Sequence, residues 1–273
     1  MSNHTRLAEN ESMPRERSSS YSVGIVTGNL VILRHGESTW NKANLFTGWH
    51  DVPLSDKGRA EASAAGTLMA QEGLFLDTSH TSVLERAVVT QHLALTEMGQ
   101  VWLPVSRSWR LNERHYGALQ GLDKKATTEL HGPEQTKVWR RSFDVPPPPV
   151  DRESPEHPAN DRRYRWLDQS LLPASECLKD VVERVLPYWN DVIVPQLQEG
   201  LTVLLTAHGN SLRALVMHLE GISESDIAEL NIPTGAPRLY TFDSTMKVTS
   251  ARYLGDQAAV EAAARAVASQ AGT

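Results

Sequence analysis

The run Leu30-Val31-Ile32-Leu33, followed at once by Arg34-His35-Gly36-Glu37, constrains this chain more than any other stretch. Four consecutive apolar residues with no polar alternation read as a short strand buried on both faces. A cation and an imidazole then fall at the strand's C-terminal edge, where open α/β sheets bind ligands. The pattern returns late in the chain as Val203-Leu204-Leu205-Thr206-Ala207-His208-Gly209-Asn210. Two such strands predict a parallel, adjacent pair that brings His35 and His208 together over one phosphoryl group.

The intervening sequence alternates strand and helix signals, which predicts an α/β fold: a three-layer α/β/α sandwich with a mostly parallel central sheet. Ser55 or Asp56 caps an Ala-rich helix that runs to Gln71 and ends at Gly73. Leu74–Asp77 starts a second strand region and Val101–Val105 reads as a third strand. Ser82-Val83-Leu84-Glu85 fits a capping box ahead of a helix reaching Met98. Thr127–Leu130 and Glu134–Arg141 read as helices, Pro146–Pro149 as a stiff polyproline run, and 151–165 as a charged surface excursion. Leu178–Gln198 is a long amphipathic helix that Pro187 and Pro195 should kink or end. Ser211–Glu220 follows the late strand, and Ser223–Asp226 caps a short helix. Residues 1–28 read as a disordered extension, 29–254 as the catalytic domain, and 255–273 as an Ala-rich helix or mobile tail.

Phosphoryl transfer needs a nucleophile, charge on the equatorial oxygens and an acid for the leaving oxygen. A histidine serves as nucleophile when one ring nitrogen is held by an acceptor and the other is free. A backbone carbonyl near Gly36 is a candidate acceptor for His35. Arg34 and Arg86 can clamp phosphate oxygens. Arg86 sits in the first turn of its helix, where a cation opposes the dipole, so a ligand explains it better than helix stability does; the alternative is a surface arginine. His208 can donate to the transferring group, and the backbone N–H groups of Gly209 and Asn210 can face an anion. Glu37 and Glu113 are the candidate acids. Glu113 is preferred, because phosphate nearby would raise its pKa; the alternative is a solvated pair with Arg114. His115 is intermediate, whereas His4, His50, His80, His92, His131, His157 and His218 lack partners at a useful spacing and read as structural.

Composition removes several classes. A net charge of −6 with no basic stripe argues against nucleic acid. One cysteine, Cys177, permits no internal disulfide and suits a reducing cytoplasm. No apolar run approaches the roughly 20 residues of a membrane span. With no His-Glu-x-x-His or carboxylate-rich triad, no catalytic metal is expected, and without a Gly-x-x-x-x-Gly-Lys loop neither is nucleotide-dependent kinase chemistry.

Leu33-Arg34-His35-Gly36-Glu37-Ser38 resembles the signature of the histidine phosphatase superfamily. Trp40-Asn41, Phe46–Trp49, Leu111–Gly121, Trp139-Arg140-Arg141, Ala207–Ala214 and Leu230–Gly235 resemble the cofactor-dependent phosphoglycerate mutases more closely. The similarity runs from about Leu30 to Leu254. It implies that His35 is phosphorylated in turnover, Glu113 donates and accepts the proton, and His208 stabilises the transition state. It implies substrate contacts from Arg34, Asn41, Thr47, Gly48, Arg86, Glu113, Tyr116, Lys124, Arg140, Arg141, Gly209 and Asn210. Arg140 and Arg141 would otherwise read as a solvated helix face. The implied activity interconverts 2-phosphoglycerate and 3-phosphoglycerate in glycolysis and gluconeogenesis. Further implications are priming by 2,3-bisphosphoglycerate, no metal, phosphoglycerates as small-molecule partners, and a homo-oligomer, dimer or tetramer.

Overall fold

In the computed structural model, which describes residues 27–269, a six-stranded sheet lies between two helical layers. In chain order the elements are β1 (Asn29–Arg34), α1 (Thr39–Lys42), α2 (Asp56–Gln71), β2 (Thr78–Thr81), α3 (Glu85–Glu97), β3 (Val105–Arg107), α4 (Lys124–His131) and α5 (Pro133–Arg141). They continue as α6 (Leu178–Tyr188), α7 (Val194–Gln198), β4 (Val203–Ala207), α8 (Gly209–Glu220), β5 (Arg238–Phe242), β6 (Val248–Tyr253) and α9 (Gln257–Ser269). Residues 1–26, where most of the expected N-terminal extension falls, and 270–273 lie outside the described residues. No helix among the described residues is long and apolar enough to cross a membrane.

The sheet order is β3-β2-β4-β1-β5-β6. The first four strands are parallel, while β5 and β6 add antiparallel neighbours at one edge. Strand period sorts the core. Leu30 and Ile32 join Val203 and Leu205 under α6 and α8, whereas Val31 and Leu33 join Leu204 on the other face with Ala65 and Met69 of α2 and Ala94 and Leu95 of α3. This is the expected three-layer sandwich. β1 and β4 pair in parallel from Leu30↔Val203 to Arg34↔Ala207. The residue after each last pair is a histidine, so both leave the sheet at one level, and the His35 N–H donates to Ala207 O at 3.0 Å.

Several elements differ from their sequence reading. The second strand is Thr78–Thr81 and not Leu74–Asp77; all four of its residues are polar and buried, which a hydrophobicity pattern does not detect. The side chains that make this possible are paired: Ser79 Oγ accepts from Gln91 Nε2, and the His80 ring bonds Tyr188 Oη and Gln196 Oε1. The third strand is Val105–Arg107, because 101–104 forms a turn. The helix from Leu178 passes through Pro187 and opens into a π turn at Trp189–Ile193, where the Val194 N–H reaches Trp189 O. That widened turn precedes Pro195, which has no N–H to donate. The excursion is more than surface chain: Tyr164 is 2% exposed and stacks obliquely on Trp49. Gly36 and Gly58 close the turn after β1. A Cβ on Gly36 would meet Gly58 O at 2.1 Å, and one on Gly58 would meet Glu37 O at 2.0 Å.

Candidate active site

The C-terminal ends of β1 and β4 open into a cavity lined by Arg34, His35, Asn41, Thr47, Gly48, Arg86, Glu113, Tyr116, Lys124, Arg140, Arg141, Gly209 and Asn210. Every site residue expected from the sequence lines it except His208. That residue is fully buried behind the wall, with its ring 5.0 Å from that of His35. One potential ligand atom from each of His35, Glu113 and His208 lies within 4.8 Å of the others.

His35 is 2% exposed, and its Nδ1 lies 2.7 Å from Gly36 O. A carbonyl can only accept, so Nδ1 carries the proton and Nε2 is the free lone pair. Burial, then the charges of Arg86 and Arg34, hold the His35 pKa well below the ordinary histidine range. The ring is therefore neutral at pH 7, with an Nε2 lone pair able to act as a nucleophile. His208 is held neutral in the same way, by burial and then by Arg86.

Glu113 is 8% exposed. Its Oε1 accepts from the N–H groups of Arg114 at 2.8 Å and Asn210 at 3.0 Å. Burial raises its pKa, but these donors together with Arg34 and Arg86 bring it below the usual carboxylate value. The rise expected from the sequence requires phosphate beside the carboxylate; the protein's own groups lower it. The carboxylate is ionised, so it can serve as a base first and as an acid only after accepting a proton.

The arginines are oriented by carbonyls. Arg86 Nη1 and Nη2 donate to His50 O at 3.0 Å and Gly48 O at 2.7 Å, and Arg34 Nη1 donates to Ile232 O at 2.6 Å. Gly48 has a φ of +57°, and a Cβ there would meet Gln120 Oε1 at 2.1 Å, so the loop carrying those carbonyls requires glycine. Burial lowers Arg86 to about 10 and Lys124 to about 8. Tyr116 is raised by burial, yet Arg114 and then Arg140 bring it to about 8. Buried polar atoms without a partner among the described residues include Arg34 Nε, Arg114 Nε and Nη1, Thr47 Oγ1, Arg213 Nε and His208 Nδ1. Those of Arg34, Thr47 and Arg213 belong to residues lining the cavity and suit a ligand with several anionic groups.

Some contributors were not singled out from the sequence. Ser82 was read as a helix cap, but α3 starts at Glu85 with Leu84 as its cap residue. The Ser82 hydroxyl instead bonds His208 Nε2 at 2.7 Å and accepts from the Leu84 N–H at 3.2 Å. Arg184 bonds Glu176 through Nε at 2.6 Å and donates to the carbonyls of Arg110, Asn112 and Glu113, which fixes the loop bearing Glu113. Arg114 lies over the Tyr116 ring at 4.6 Å, and Arg213 Nη1 bonds Asn210 Oδ1 at 2.9 Å. Arg114 and Arg213 lay inside recognisable motifs; Ser82 and Arg184 carried no signal beyond their polarity. Glu37, the rival acid, bonds Ser55 and Lys57 away from the histidines. His115 accepts from the Gly117 N–H and is held neutral by burial, with a pKa of about 3. His50 stacks on Trp40 and bonds Glu156.

A family model described as histidine phosphatase superfamily (branch 1) matches residues 30–160 and 153–252. A 2,3-bisphosphoglycerate-dependent phosphoglycerate mutase of Xylella fastidiosa (strain M12) is 55% identical over 245 residues, 90% of this chain and 98% of that protein. Among solved structures, a mycobacterial glucosyl-3-phosphoglycerate phosphatase superposes with a TM-score of 0.61 at 23% identity, covering 83% of this chain and 97% of its own. The alpha-ribazole phosphatase of Shigella flexneri superposes with a TM-score of 0.61 at 20% identity, covering 84% and 96%. These two share the fold. The chain belongs to branch 1 of the histidine phosphatase superfamily and, within it, to the 2,3-bisphosphoglycerate-dependent phosphoglycerate mutases.

Proposed function

We propose that this protein interconverts 2-phosphoglycerate and 3-phosphoglycerate through a phosphohistidine at His35. The observation that carries the reading is the neutral His35, with Nδ1–H held by Gly36 O and Nε2 free, beside the ionised Glu113 in a cation-lined cavity. The unpartnered donors of Arg34 and Arg213, both lining the cavity, fit 2,3-bisphosphoglycerate, which supplies the priming phosphoryl group when bound.

In the forward transfer, phosphorylated His35 gives its phosphoryl group to the free hydroxyl of a bound phosphoglycerate. The Nε2–P bond breaks, an O–P bond forms, and a Glu113 carboxylate oxygen takes the hydroxyl proton. In the return, His35 Nε2 attacks the other phosphoryl group, and Glu113 returns its proton to the oxygen left behind. The Gly36 carbonyl offsets the positive charge that grows on the His35 ring during attack. Arg34, Arg86 and the Gly209 N–H that opens α8 face the equatorial oxygens, the Asn210 N–H being held by Glu113 Oε1, and buried His208 supports them. Asn41, Thr47, Gly48, Tyr116, Lys124, Arg140, Arg141, Gly209 and Asn210 hold the remaining carboxylate and phosphate groups. The reaction uses no metal. The enzyme works in the cytoplasm as a dimer or tetramer.

Intact-mass measurement after incubation with 2,3-bisphosphoglycerate, with a coupled mutase assay, tests the reading. Phosphoenzyme formation and mutase flux that survives EDTA are expected. Absence of the phosphoenzyme, or hydrolysis well in excess of mutase flux, would refute it.

A further inference from the structure

Asn231 lines the cavity, and its amide is oriented from both ends. Nδ2 donates to Glu229 O at 3.0 Å, and Oδ1 accepts from Arg141 Nη2 at 2.9 Å. Arg141 Nη1 also reaches Ala228 O at 3.5 Å, while the next residue, Ile232, takes Arg34 Nη1 on its carbonyl. Residues 228–232 thus grip one arginine from the β1 edge and one from the end of α5. The α4–α5 pair needs such a grip: its buried residues are Lys124, Thr127 and Thr136, none of them apolar. Its other polar anchors include Arg114 Nη2 on Arg140 O at 2.6 Å and the Lys124 N–H on Asn44 O at 3.0 Å.

We propose that Asn231 is a positioning residue that fixes Arg141 at the cavity rim, and that this contact sets the ratio of mutase to phosphatase turnover. The inference rests on the phosphohistidine reading above. Two acceptors compete for the phosphoryl group on His35. When a substrate hydroxyl wins, the Nε2–P bond is exchanged for a bond to substrate oxygen, and Glu113 takes the hydroxyl proton. When water wins, its oxygen bonds phosphorus, the Nε2–P bond breaks, Glu113 takes a water proton and inorganic phosphate leaves. An arginine locked across the rim retains the bisphosphorylated species and leaves less room for water. A loose one releases that species and admits water.

The test measures mutase flux, hydrolysis of 2,3-bisphosphoglycerate and KM for Asn231→Ala and Asn231→Asp. Loss of a charge-assisted hydrogen bond in Asn231→Ala should raise the hydrolysis-to-mutase ratio about tenfold. Asn231→Asp loses the Nδ2 bond to Glu229 O but keeps an oxygen acceptor, now charged, that Arg141 can hold, so its ratio should rise clearly less than in Asn231→Ala, with a raised KM from the added negative charge. If Asn231→Ala does not fold, Asn231→Ser, too short to reach Arg141, carries the same expectation. A merely structural role would lower both activities together, so an unchanged ratio in the Ala or Ser variant overturns the proposal. So does a ratio in Asn231→Asp that rises as far as in Asn231→Ala. Intact mass separates the two failures: no wild-type phosphoenzyme defeats the functional reading, whereas a normal phosphoenzyme with an unmoved ratio defeats only the role of Asn231.

Discussion

The two walls of the cavity are held by different forces. The wall formed by β1, β4 and α8 is set in hydrophobic core: five residues of β1 and all of β4 are buried, and α8 buries Leu212, Ala214, Leu215 and Val216. The wall formed by α4 and α5 buries no apolar residue and is held by arginine–carbonyl and arginine–amide bonds. Close packing holds side chains to a fraction of an ångström. Polar anchors can be exchanged for water at low cost. His35, the proposed nucleophile, sits on the packed wall, the proposed acid–base residue Glu113 sits on a loop held by Arg184, and the cations proposed to confine the substrate sit on the anchored wall. A nucleophile needs a fixed position, whereas substrate and product must pass the other side on each turnover.

Substitutions at the packed wall should abolish chemistry, and those at the anchored wall should alter binding. The largest effect belongs to His35→Ala: no phosphoenzyme by intact mass, and turnover lower by ~10⁴-fold or more. Glu113→Gln should slow both transfer steps by about 10²–10⁴-fold in rapid-quench labelling, with KM little changed; unchanged turnover would refute its acid–base role. Stability separates the walls in the same way. Leu33→Ala should cost about 2–5 kcal/mol in denaturant unfolding. Leu130→Ala on α4, where the side chain is 78% exposed, should stay within about 0.5 kcal/mol. Among the kinetic effects the smallest is on pH dependence. Lys124 titrates near 8 because it is buried, and it is charged below that value and neutral above it. Tyr116 becomes negative over the same range. Both changes weaken anion binding, so KM for phosphoglycerate should rise roughly fivefold from pH 7 to pH 9 while kcat stays nearly level.

The packed wall was the legible one. Leu30–Leu33 is an uninterrupted apolar run and Val203–Ala207 is apolar except for Thr206; His35 and His208 follow within two residues of each, and the parallel pairing follows from where those histidines must meet. The β2 strand was misplaced because Thr78–Thr81 is polar, and its burial depends on Gln91, Tyr188 and Gln196, which lie far along the chain. Arg34, Arg86 and Glu113 could be argued from local chemistry. Arg140 and Arg141 could not: an exposed helix end rich in arginine looks the same whether it faces water or a phosphate, and only the family motif distinguished them. Ser82 was misassigned for a similar reason. A serine three residues before a glutamate suggests a cap, and nothing local shows that its hydroxyl is taken by His208, 126 positions later.

The Gly36–Gly58 contact has a consequence for how such chains diverge. Each missing Cβ is replaced by the other segment's backbone, not by its side chain. A larger residue at either position therefore cannot be accommodated by shrinking the other, and no compensating pair exists. In a saturation-mutagenesis map both positions would appear as intolerant as His35, although Gly58 is absent from the cavity lining. Intolerance there would record two backbones in contact, and a survey that equates invariance with ligand recognition would assign Gly58 a role it does not have.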